Sequence, residues 1–137
     1  MIKNIIKLAS LLFKSSNNNS IISGKCFVID GDTIQIKGTR IRLAGIDAPE
    51  LNQPWGKAAK YAMVRLCKGK IVSAHLTGEE SYNRKVAICY LSDGRDIGAE
   101  IIKQGYALDF TKYSNGKYKE LETADARKKL KHKRNAY

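Results

Sequence analysis

Apolar and polar residues alternate with a period of two in a series of short runs that begins near residue 24. Lys25-Cys26-Phe27-Val28-Ile29 is the first, and the Asp30-Gly31-Asp32 that follows is a strong turn signal. Thr33 to Lys37 alternates as a second strand, Gly38 turns it, and Thr39 to Ala44 makes a third. Gly45 and Ala48-Pro49 close that run, because a residue before proline avoids the helical region. Past Pro54 the period changes: Ala58, Ala59, Ala62, Met63 and Leu66 share one helix face that stops at Lys68-Gly69. Lys70 to Leu76 predicts a fourth strand and Thr77 to Arg84 a polar loop. Lys85 to Leu91 predicts a fifth strand, turned at Ser92-Asp93-Gly94. Asp96 is placed to cap a helix from Ile97 to Gln104, ended by Gly105. Tyr106 to Phe110 reads as short and extended. Lys117 to Lys131 predicts a final helix, acidic first and basic last, an order that suits its dipole.

Ahead of the alternating runs the chain has a different character. At about 100° per residue Lys3, Lys7, Ser10 and Lys14 form one stripe, with Ile2, Ile5, Ile6, Ala9, Leu12 and Phe13 opposite. Residues 1–16 therefore predict a basic amphipathic helix, too short and too charged to span a bilayer. An export signal, a helix lying on a membrane surface and a helix packed on its own domain all fit these residues. An exported or membrane-associated protein is the favoured reading, with a cytoplasmic one left open. Ser15 to Ser20 is polar and low in complexity, as linkers are. The expected organisation is an N-terminal helix and linker over 1–23 and one folded domain over 24–137. That domain belongs to the α+β class and is mainly β: a small five-stranded barrel with about three helices packed on it, an architecture that commonly binds nucleic acid.

The length of 137 residues fits one domain able to bury an adequate core without disulfide or structural metal. A formal charge of +12 favours a polyanionic partner, because a basic field raises encounter rates and each phosphate contact releases counterions. Cys26, Cys67 and Cys89 fall in apolar runs and are expected to be small buried hydrophobes. With His75 and His132 far apart, no cysteine or histidine spacing suggests zinc. No obligate protein partner is evident.

The candidate chemistry lies in carboxylates set at loops. Asp30, Asp32, Asp47 and Glu50 stand at two neighbouring turns, joined by a strand that carries Arg40 and Arg42 on one face. Asp32 and Asp47 are hard oxygen donors on adjacent loops, the ligand type that calcium takes. A carboxylate such as Glu50 close to a bound phosphate can accept a proton from water. Guanidinium groups meet two phosphate oxygens at once, and spacing alone does not choose between Arg40 and Arg42.

Asp30-Gly31-Asp32-Thr33, then Arg42-Leu43-Ala44-Gly45-Ile46-Asp47-Ala48-Pro49-Glu50, then Tyr82-Asn83-Arg84 together resemble the staphylococcal (micrococcal) nuclease family. The likeness runs from about Cys26 to Arg127. It implies an OB-fold, a Greek-key barrel, and calcium-dependent endonuclease activity on single-stranded or locally open DNA and RNA. It also implies little sequence preference and products ending in a 3′-phosphate. By the same resemblance Asp32 and Asp47 bind Ca2+, with Thr33 contributing its backbone carbonyl. Glu50 activates the attacking water, and Arg42 and Arg84 hold the phosphate, the spacing to Asp47 selecting Arg42 over Arg40. Tyr82 contacts the base, Tyr113 the phosphate, and Lys85 adds phosphate attraction.

Three departures stand out: Asn83 where the family has glycine, Glu80-Ser81 in place of an acidic-basic pair, and a terminal run from Lys131 to Tyr137 without Gly-Leu-Trp. A non-catalytic nucleic-acid-binding or protein-binding module is the competing class. Binding alone would need arginines but no cluster of acids repelling phosphate, and Asp32, Arg42, Asp47, Glu50 and Arg84 are all present.

Overall fold

The structure, a computed structural model, describes residues 20–130. The predicted helix over 1–16, most of the linker and the terminal run from Lys131 lie outside the described residues. The strands are β1 (Ile21–Asp30), β2 (Thr33–Ile36), β3 (Thr39–Leu43), β4 (Ile46–Asp47), β5 (Ile71–Ser81), β6 (Arg84–Leu91) and β7 (Leu108–Asp109). The helices are α1 (Gly56–Cys67), α2 (Ile97–Lys103), α3 (Thr111–Ser114) and α4 (Ala124–Lys129), with a 3-10 turn over Lys119–Leu121. Five strands close into a barrel in the order β1-β2-β3-β6-β5, and β4 pairs with β7 beside it. All barrel pairings are antiparallel except β3 with β6, where Arg42 lies opposite Val86 and Leu43 opposite Ala87. This is the expected α+β, mainly β barrel of the OB type. No helix among the described residues is long and apolar enough to cross a membrane.

Alternation explains the core. Ile34, Ile36, Ile41, Leu43, Val72 and Ala74 are fully or almost fully buried, while α1 contributes Ala59, Ala62, Met63 and Leu66 from one face. Burial of such side chains at about 25 cal/mol per Å² is the main force closing the barrel. Gly31 is buried where a Cβ would come within 2.8 Å of both Ala48 and Ala59. Its φ is not positive. Glycine stands in the first turn because α1 and the loop after β4 approach it closely.

Four expectations need correction. The first strand begins at Ile21, ahead of the boundary expected at residue 24, and its leading residues pair with Val72 to His75 of β5. The polar stretch after Leu76 continues β5 to Ser81, so β5 and β6 form a long hairpin with Tyr82-Asn83 at its tip. Both tip residues have positive φ, 50° and 64°, as a tight two-residue hairpin requires, and Asn83 adopts that conformation readily. This part of β5 is exposed from Thr77 to Glu80 and kinked by a register shift, so no apolar alternation marks it. The single final helix is instead a 3-10 turn and α4, divided by extended Glu122. Glu122 turns into the protein to accept the Asp109 amide at 2.8 Å and Arg127 Nε at 2.9 Å, while Thr123 caps α4 by accepting Ala126 N–H. Finally, Cys26 is only half-buried, whereas Cys67 and Cys89 are buried.

Asp96 and Tyr118 pin the helical side of the barrel. Asp96 caps α2 through Ala99 N–H, and the buried Tyr118 hydroxyl donates to its other oxygen at 2.7 Å. Burial, then the hydrogen bond and charge of Asp96, raise the tyrosine pKa from its ordinary 10.0. Tyr118 thus stays protonated in the fold at pH values where the unfolded chain ionises. The stability it confers is fully present below that ordinary value and is lost as pH rises beyond it. Tyr118→Phe should cost about 1 kcal/mol at neutral pH. Urea titrations of both proteins should also show a smaller alkaline loss of stability in the variant than in the parent.

Candidate functional site

The site gathers at one end of the barrel because three turns meet there. The β1–β2 turn supplies Asp32, whose own N–H donates to Asp30 Oδ1 at 3.0 Å. Asp30 is therefore the residue that shapes the turn. In the β2–β3 ladder Thr33 lies opposite Arg42, which puts the arginine next to the acid. Arg42 is wholly buried; its Nη1 donates to the Leu43 carbonyl and its Nη2 lies 3.6 Å from Asp32 Oδ2. Arg40, expected on the same face, is exposed near the start of the strand.

Asp32 is also fully buried. It accepts the Thr33 hydroxyl at 3.2 Å on Oδ1 and the Ala48 amide at 3.1 Å on Oδ2. The second contact fixes the spacing between the two acidic turns, since Ala48 adjoins buried Asp47 at the end of β4. Thr33 lies between ladder partners Asp30 and Arg42, so its backbone belongs to the sheet and its hydroxyl faces the acids.

Arg84 enters from the far side of the chain, at the first residue of β6. Its Nη1 donates to Thr33 Oγ1 at 3.1 Å, its Nε to the Ser81 carbonyl at 3.0 Å and its Nη2 to Ser81 Oγ at 2.9 Å. The hairpin thus supplies both the arginine and the residue that aims it. Burial and the neighbouring Arg42 charge lower the Arg84 pKa, and the carboxylates of Asp32, Asp30 and Glu50 oppose them. Those residues share one electrostatic field.

Glu50 is exposed at the rim. Its backbone is held rather than its carboxylate: Glu50 N–H donates to Gln53 Oε1 at 2.9 Å, and Gln53 N–H returns to the Glu50 carbonyl at 2.9 Å.

Of the remaining predicted residues, Tyr82 is 73% exposed at the hairpin tip, two positions from Arg84. Lys85 points away from Arg84 along the strand and is ion-paired with Glu80. Tyr113 sits half-buried on α3, its ring 4.9 Å from Phe110, and lines a cavity of about 120 Å³ with Gly45, Thr77 and Lys117. The structure therefore brings Asp32, Thr33, Arg42, Asp47, Glu50 and Arg84 together, places Tyr82 beside them, and sets Lys85 and Tyr113 at the margin. Ser81, bonded to Arg84, and the Ala48 amide, bonded to Asp32, are contacts at this site that the sequence did not point to. Gln53 was detectable, since a Gln three residues after its partner is a known reciprocal capping pattern.

The donor chemistry fits a hard divalent cation. Asp30, Asp32, Asp47 and Glu50 oppose Arg42 and Arg84, leaving the cluster two units negative in a chain whose formal charge is +12. Yet among the described residues no three His, Cys, Asp or Glu side chains group closely enough to hold an ion by themselves. An ion here would take much of its oxygen shell from water and substrate, as calcium, with six to eight ligands, readily does.

Comparison with known proteins gives a consistent result. A family model described as staphylococcal nuclease homologue matches residues 40–135. The chain is 39% identical over 83 residues to a probable staphylococcal-like nuclease of Oryza sativa subsp. japonica, covering 61% of this chain and 25% of the rice protein. It is 32% identical over 108 residues to a succinoglycan biosynthesis protein of Rhizobium meliloti, covering 71% of this chain and 56% of the other. It is 34% identical over 125 residues to an uncharacterized endonuclease of Haemophilus influenzae, covering 84% of this chain and 70% of that one. The chain thus spans only a quarter to a little over half of the first two of these proteins.

The loop that carries Glu50 makes a sharp demand at Gly56. A Cβ there would lie 1.7 Å from the Glu50 carbonyl oxygen. Helix propensity alone would favour Gly56→Ala by about 1 kcal/mol. The expected outcome is the reverse: a loss of about 3 kcal/mol or more in urea unfolding, as backbone clash dominates.

Proposed function

The chain belongs to the staphylococcal nuclease homologue family, whose model matches residues 40–135, and on that footing we propose that it is a calcium-dependent endonuclease. It hydrolyses phosphodiester bonds of single-stranded or locally open DNA and RNA, with little sequence preference, and leaves 3′-phosphate ends. The observation that carries this reading is the hydrogen-bonded line from Arg84 through the Thr33 hydroxyl to Asp32. It joins residues 51 positions apart into one acid-and-guanidinium site.

In this reading Asp32 and Asp47, with Thr33 beside them, hold the ion. Bound calcium would supply positive charge to the phosphate oxygens and so ease attack on phosphorus. Arg84 is the guanidinium open enough to meet two of those oxygens, and it is aimed by Ser81 and Thr33 before substrate arrives. Arg42, from beneath, holds Asp32 in place and adds its charge to the same field. Glu50, exposed at the rim on a fixed backbone, takes the proton of the attacking water. The new bond forms between water oxygen and phosphorus, the bond to the 5′-oxygen breaks, and that oxygen leaves with the bonding electron pair and takes a proton from solvent. Exposed Tyr82 stacks on a base, which tolerates any sequence.

Calcium should permit digestion of denatured DNA and of RNA, and a chelator should abolish it; digestion unchanged by the chelator would remove the metal from the mechanism. Glu50→Gln and Arg84→Ala should each lower turnover about a hundredfold or more with melting temperature preserved. Near-parental rates in both variants would favour a binding module without catalysis.

A further inference from the structure

The chain has one tryptophan, Trp55, and its placement is unusual. It is 48% exposed and sits in the left-handed conformation, φ 69°, which disfavours any residue with a side chain. The loop that holds it there is the one that carries Glu50. Glu50 and Gln53 exchange hydrogen bonds, Gly56 N–H donates to Gln53, and Gly56 packs directly on the Glu50 carbonyl. Trp55 is thus fixed one residue from the backbone against which Glu50 rests.

A second contact sets the ring. Lys129 Nζ stands 4.1 Å from the indole centroid, and an ion pair with Asp125 at 2.8 Å holds that ammonium. A cation over the ring orients it without burying it. The first turn of α1 carries no acidic residue, and Lys57 beside Trp55 is exposed, so no carboxylate of this turn would repel a phosphate chain passing the ring. Of the other exposed aromatics among the described residues, Phe27, Tyr61 and Tyr82, it is Tyr82 that stands two positions from Arg84.

From this arrangement we propose that Trp55 is a second base-stacking platform: it takes the nucleobase on the Glu50 side of the scissile phosphate while Tyr82 takes one on the Arg84 side. The proposal rests on the nuclease reading above. It makes Trp55 a positioning residue that acts on binding, since the indole touches a base and no reacting atom. A strand gripped on both flanks presents the phosphate between them to Arg84 and Glu50. Every base has a π-face, so this grip selects single strands without selecting sequence.

The test uses the full chain carrying Glu50→Gln, so that substrate survives, with calcium and a dye-labelled single-stranded oligonucleotide. Emission of the lone tryptophan should be quenched in step with the rise in dye anisotropy. Trp55→Ala should weaken binding about 5- to 100-fold, Trp55→Phe should restore most of it, and both should melt like the parent. An oligonucleotide made abasic through the gripped stretch should bind the parent and Trp55→Ala alike. If the labelled strand binds while tryptophan emission stays unchanged, the platform is refuted and the nuclease reading stands. Equal loss of abasic and intact strands in Trp55→Ala would also refute it, by showing a structural effect. If no strand binds at all, the nuclease reading falls and takes the platform with it.

Discussion

The ion pair of Asp32 with Arg42 is the constraint on which this end of the molecule depends. Both residues are wholly excluded from water. Burying either charge alone costs several kcal/mol, and their mutual attraction offsets that only if every other polar atom is well placed. The chain answers with the Thr33 hydroxyl, the Ala48 amide and the Leu43 carbonyl, drawn from β2, the loop after β4, and β3. The first two donate to the carboxylate and the third accepts from the guanidinium, so holding this ion pair fixes three segments relative to one another. The Arg84 clamp and the Glu50 loop are added to that framework.

Other buried acids show what a purely structural solution looks like. Asp109 takes the hydroxyls of Thr111 and Ser114 and the Tyr118 amide, all from the next few residues of chain. Glu122 pairs with Lys119 and Arg127 on its own segment and caps Asp109 N–H. Their needs are met by neutral or nearby donors, and they stabilise turns. Asp32 instead lies within the field of two arginines and further carboxylates. That difference in how charge is balanced separates the candidate site from ordinary buried polarity.

Much of this was legible in the sequence because barrel strands with one buried face write their alternation into the chain. Thr33 to Ile36, Thr39 to Leu43 and α1 could be read that way, and Asp96 announced α2 as its cap. The outer part of β5 left no such trace, because a hairpin arm standing clear of the core has no apolar face. The break at Glu122 was hidden for the opposite reason: its cause is a tertiary contact to Asp109, which no local pattern encodes. In the site, residue types and their order pointed to the acids and arginines. The sequence could not reveal that Arg42 lies wholly buried beneath Asp32, or that Ser81 aims Arg84, because both follow from the way the barrel closes.

The one parallel pairing in the barrel, β3 with β6, also has a consequence in time. Ile41 to Leu43 meet Lys85 to Ala87 only after the whole intervening chain has been made and looped back. Closing so long a loop carries an entropic cost before any contact compensates, so such pairings form late. During synthesis the acidic turns and Arg42 emerge well before Arg84. A nascent chain carries the anionic half of the site without its outer guanidinium until β6 docks. The site and the barrel thus both require the β3–β6 pairing, and a chain stalled short of β6 has neither.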